Sequence, residues 1–86
     1  MDAYGDDEQL TGLYTMIDDR LMVPFDTQVL GVAVTVERVE LTDAGQIVAV
    51  CRRDGVRQAI GILELPLPTP PPEGAEWTAA YRRWAR

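Results

Sequence analysis

The chain has 86 residues, with 14 aspartates and glutamates against eight arginines, no lysine and no histidine. So short a chain makes one thin domain with no wide cleft between lobes, and the missing residue types remove the commonest general base, the usual zinc or iron ligand, Schiff-base lysines and the P-loop. The net charge of −6 opposes nucleic acid and anionic membranes.

A first helix is expected over about 6–22. Asp6 is placed to cap it, with Gln9 three residues later and Asp7 and Glu8 in the first turn, where carboxylates suit the dipole. Leu10, Leu13, Tyr14, Ile17 and Leu21 then recur on one face, and Pro24 ends the element. The period then changes to two. A strand over about 29–41 alternates Val32, Val34 and Val36 with polar or small residues, but its apolar phase slips by one at Val39 and Leu41. A bulge near Glu37 and Arg38 repairs such a slip.

After a turn at Thr42-Asp43-Ala44-Gly45, strands are expected over about 46–53 and 56–63. Asp54-Gly55 between them is a type I′ hairpin signal. Six prolines, five of them within 66–72, rule out helix or central strand there and suggest an extended polyproline linker across the domain surface. Trp77, Ala80, Tyr81 and Trp84 mark a final helix over about 75–85, too short to persist unless its aromatic face docks on the rest. The pattern is that of a single α+β domain, 1–86. It comprises a helix, a small bent antiparallel meander that curls toward an SH3-like partial barrel, the polyproline linker and a C-terminal helix.

The longest nearly apolar run, 29–36, is far too short to span a bilayer. The acidic start lacks the basic and apolar regions of a secretory signal, and Cys51 has no second cysteine to pair with, so a cytoplasmic setting is expected. Cys51 itself reads as a small buried hydrophobe without a base beside it. Arg52, Arg53 and Arg57 cluster about the hairpin and are expected to pair with carboxylates of the acidic half. Nothing here assembles a catalytic group, and no enzyme activity is expected.

Charge is unevenly spread. Residues 1–43 hold ten acids and two arginines, about −8, and the remainder holds four acids and six arginines, about +2. Calcium takes six to eight oxygen ligands in flexible geometry and needs neither histidine nor cysteine. The EF-hand loop pattern is absent, so any site has to be assembled from separate segments. The leading cluster is explained by helix capping. Asp18 and Asp19 instead lie near a helix C-terminus, against the dipole, with Asp26 one loop later and Glu40 and Asp43 flanking the next turn. Those five are the candidate metal ligands. The blander reading makes them a solvated helix face beside Arg20 and an exposed sheet edge kept soluble by charge.

The order of several short pieces carries a resemblance. Tyr4-Gly5-Asp6-Asp7-Glu8-Gln9-Leu10, then Leu21 to Pro24-Phe25, Val29-Leu30-Gly31 with Val34-Thr35-Val36, Pro70-Pro71-Pro72, and Trp77 to Tyr81-Arg82-Arg83-Trp84 span nearly the whole chain. In that order they resemble the small bacterial calcium-binding proteins typified by cyanobacterial CcbP. The resemblance implies a single-domain cytoplasmic protein that binds calcium through acidic side chains outside any EF-hand, as a buffer or sensor without catalysis. The pieces matched are structural positions and name no ligands. The other open reading is a regulatory module that engages a protein partner and binds no metal. Monomer and homodimer are both compatible with the aromatic tail.

Overall fold

The computed structural model describes residues 3–85, with side chains from Glu8 onward. Helix α1 (Ala3–Arg20) leads into four strands, β1 (Phe25–Val29), β2 (Val32–Leu41), β3 (Ile47–Arg53) and β4 (Val56–Gly61). A 3-10 turn (Ile62–Glu64), an irregular stretch and helix α2 (Ala75–Trp84) complete the chain. The strands form one antiparallel sheet in the order β1-β2-β3-β4, each beside its neighbour in sequence. The domain is therefore α+β, as the patterning indicates.

Both ends of α1 differ from expectation. The helix begins at Ala3, which places Asp6 inside it rather than at its cap. The Asp6 and Asp7 side chains lie outside the described part. Gln9, expected to close a capping box, instead uses its amide oxygen to accept a 2.5 Å hydrogen bond from the Trp84 indole N–H. At the other end Leu21 N–H still bonds to the Ile17 carbonyl at 2.9 Å, but Met22 N–H donates to the Glu73 carbonyl at 2.8 Å. A tertiary acceptor thus takes the donor that would have extended the helix. Gly74 follows at φ +90, so close that a Cβ there would stand 2.1 Å from the Arg20 carbonyl oxygen.

The expected strand over 29–41 begins only at Val32, and a further, unexpected strand, β1, precedes it. Leu30 and Gly31, at φ 52 and 80, turn the chain back between β1 and β2. Leucine is foreign to a position of positive φ, where asparagine, aspartate or glycine usually stands, so this hairpin leaves no local signal. Where the apolar phase slips, the structure has its bulge. The β2–β3 register shifts between Val36 and Arg38, which returns Val36 and Val39 to one face. Asp54 and Gly55 turn with φ 52 and 79, as a type I′ hairpin requires. The last strand stops at Gly61, two residues early, because Ile62 and Leu65 fold inward to 3% exposure each.

The core lies between one face of the sheet and the two helices. Ile17 and Leu21 meet Val34, Val36 and Val39 of β2, Ile47, Ala49 and Cys51 of β3, and Tyr81 of α2. The aromatic face of α2 docks as its spacing suggests. Tyr81 is buried, Trp77 and Trp84 pack at the core margin, and the Tyr81 and Trp84 rings stack 6.0 Å apart. Val48 and Val50 are buried on the opposite face, so the middle of β3 is apolar on both sides. Among the described residues the sheet is open, with no pairing between β4 and β1. Residues 65–68 pass beside β1, where the Thr27 hydroxyl donates to the Pro66 carbonyl at 2.6 Å. Pro66 and Pro68 have no N–H to build a ladder there.

Candidate functional site

The five carboxylates singled out by the sequence are all exposed, and they do not share one place. Asp18 and Asp19 occupy the last turn of α1, and Asp19 pairs with Arg20 at 3.2 Å, both side chains largely in solvent. Such a pair contributes at most about 1 kcal/mol. Glu40 lies near the end of β2, held by Arg38 at 2.8 Å. Asp43 stands in the following turn, which is closed by Gly45 N–H to the Thr42 carbonyl and by Gln46 N–H to the Thr42 hydroxyl. Asp26 is apart from these. Its Oδ1 accepts from the Thr35 hydroxyl at 2.8 Å, and Thr35 is five residues from Glu40 along β2, roughly 15 Å at the strand rise. One ion cannot bridge that span.

The charges of Asp18 and Glu40 both act on Tyr14. The Tyr14 phenol is pushed above its ordinary pKa, first by partial burial, then by the negative charge of Asp18 and of Glu40. Tyr14 and Asp18 are four residues apart on one helix face, and α1 packs across β2. Beside them the diversion of Met22 N–H to Glu73 takes from the Asp18 carbonyl the donor that a continuing helix would supply. Asp18 and the Tyr14 phenol thus share one helix face near this terminus, whereas Glu40, in register with Val48, stands on the sheet face opposite the core. Among the described residues no three acidic or other ligating side chains form a metal-holding group. Tyr14 reads in the sequence only as a core position, although its i,i+4 spacing to Asp18 was available as a signal.

A second charged group lies across the outer side of the sheet. Glu37, the extra residue of the bulge, accepts from Arg57 of β4 at 2.7 Å and lies 3.4 Å from Arg52 of β3. Arg52 and Arg57 thus pair with the acidic half, whereas Arg53 pairs with its neighbour Asp54 at 3.6 Å. The Arg57 hydrogen bond, then the charges of Arg57, Arg52 and Arg38, hold the Glu37 carboxyl below its ordinary pKa despite some desolvation. A depressed carboxylate contributes stability that is complete above its unfolded pKa and lost as pH falls through the folded one. Melting curves of wild type and Glu37→Gln should therefore differ near neutrality and converge in acid, below the ordinary glutamate range. A difference that persists unchanged into acid would assign the effect to shape rather than charge.

Cys51 is buried at 1% exposure, its thiol pushed up by that burial and directed at the Ala49 carbonyl at 3.7 Å, as befits a packing residue. No described helix is long and apolar enough to cross a membrane. The architecture is that of a small α+β domain. No family model, curated protein or solved structure matches the chain.

Proposed function

We propose that this is a non-catalytic calcium-binding protein, a buffer or sensor, that takes its ion through exposed carboxylates of its acidic half. The reading rests on the concentration of exposed carboxylates in residues 1–43 and on Asp18, which shares a helix face with the Tyr14 phenol and whose carbonyl has lost its usual helical donor. Asp18 and Glu40 are the charged ligands, with Asp19 and Asp43 adjoining them in the chain and Asp26 outside the set. Two protein carboxylates with water-completed coordination place the affinity among the weaker calcium sites. The resemblance to the small bacterial calcium-binding proteins supports the same assignment. With it go an SH3-like partial barrel and a cytoplasmic setting, the latter in keeping with a lone buried thiol.

The test is a calcium titration in moderate salt, followed by calorimetry and by melting temperature. An ion that binds only the folded state stabilises it by RT ln(1 + [L]/Kd), ~2.7 kcal/mol at a hundredfold excess over Kd. Asp18→Asn and Glu40→Gln should each weaken the response, and Asp26→Asn should leave it unchanged. No shift with calcium, or an equal small shift with magnesium or plain salt, replaces this reading with that of a protein-binding module. Salt screening removes mere counter-ion attraction and leaves coordination.

A further inference from the structure

The hairpin end of the sheet, opposite the turn that carries Asp43, has a different chemistry. The β1–β2 and β3–β4 turns project there together, in a molecule 43 Å long and 25 by 21 Å across. Between them, on the core side, opens a hollow of about 200 Å³ floored by Val32, Val34, Cys51 and Ile60, with Arg53 and Gln58 as its polar members. Leu30 stands at its rim 97% exposed, and Val56, on the same strand face as Gln58 and Ile60, is 64% exposed.

Leu30 is doubly misplaced for a free turn. It holds positive φ, which leucine resists, and it offers its whole side chain to water. A residue that breaks a local rule without local compensation points to a contact made elsewhere.

We propose that this end pairs with a second copy of the chain, Leu30 of each copy entering the hollow of the other. Knob and hollow lie on one patch, which is the condition for a closed two-fold interface. Charge favours the same occupant. Arg53 is the one charged residue lining the hollow and pairs with Asp54 of its own copy at 3.6 Å; Asp54, 87% exposed at its side chain, is open to exchange that pairing for the other copy's Arg53 across the two-fold. The rest of a chain of net charge −6 repels a copy of itself. The patch is small, so the dimer is a weak, concentration-dependent one.

Sedimentation velocity of the full chain, in chelator so that no divalent ion takes part, tests this separately from the calcium reading. The sedimentation coefficient of wild type should rise with concentration. Leu30→Asn, which suits the turn and keeps the monomer folded by circular dichroism, should weaken association at least about tenfold, since two buried leucines are lost per dimer. Val56→Thr should weaken it in the same direction. A wild type that stays monomeric at every concentration overturns the proposal. So does a Leu30→Asn variant that associates as tightly as wild type, because the dimer would then use another face.

Discussion

Gly74→Ala is expected to lower the melting temperature by roughly 10–20 °C. The position is buried and left-handed, at φ +90, and a methyl group there would stand 2.1 Å from the Arg20 carbonyl oxygen, 2.4 Å from its carbon and 2.7 Å from the Leu21 Cα. All three are backbone atoms, so no side-chain rotation relieves the overlap. Either α1 and the turn before α2 separate, losing the Met22 to Glu73 hydrogen bond, or the backbone distorts. The conformational strain and the lost contact together cost about 3 kcal/mol, and each kcal/mol moves the midpoint of a domain this size by ~4–8 °C. Gly12→Ala is the control of opposite sign. Gly12 is an exposed helical glycine with open space around its missing Cβ, and alanine there should stabilise by about 0.5–1 kcal/mol. If both substitutions move the midpoint the same way, the close approach of Gly74 to α1 is not a feature of the folded protein.

Ile17→Ala should be comparably damaging. Ile17 is 0% exposed and is the α1 residue at the centre of the core, facing β2 and the buried Tyr81. Removing the side chain beyond Cβ forfeits its burial and leaves a cavity that the sheet on one side and α2 on the other cannot close, a loss of about 3 kcal/mol. A domain of this length has only about 4–13 kcal/mol in all. Ile17→Val, which removes a single methyl group, should cost about 1 kcal/mol, and the ordering of the two variants in urea midpoints checks the seating of the helix. Equal effects would place Ile17 at a margin rather than at the centre.

Periodicity was sufficient wherever side chains alternate between water and the core. The apolar face of α1, the three later strands, the bulge forced by the phase slip at Val39 and the Asp54-Gly55 turn can all be read from neighbours a few positions apart. Docking of Trp77, Tyr81 and Trp84 follows from the same logic, because a short helix with such a face has no other way to persist. The β1–β2 hairpin could not be read this way. Its turn residues are Leu30 and Gly31, and a leucine at positive φ is held there by the pairing of the strands on either side.

The candidate site divides along the same line. Residue type alone identifies an acidic, lysine-free and histidine-free chain in which oxygen is the available ligand chemistry, and the order of the carboxylates marks the helix end and the strand end as places that local preference does not explain. Which carboxylates meet is a matter of how α1 lies on β2. The packing of α1 on β2 brings the charges of Asp18 and Glu40 to bear on Tyr14, while strand pairing leaves Asp26 with Thr35 and gives Glu37 to Arg52 and Arg57. Local patterning carries charge and face because both are set within a turn or a pleat. Proximity between residues on different elements is set by the sum of core contacts and strand pairings, so only the tertiary structure decides it.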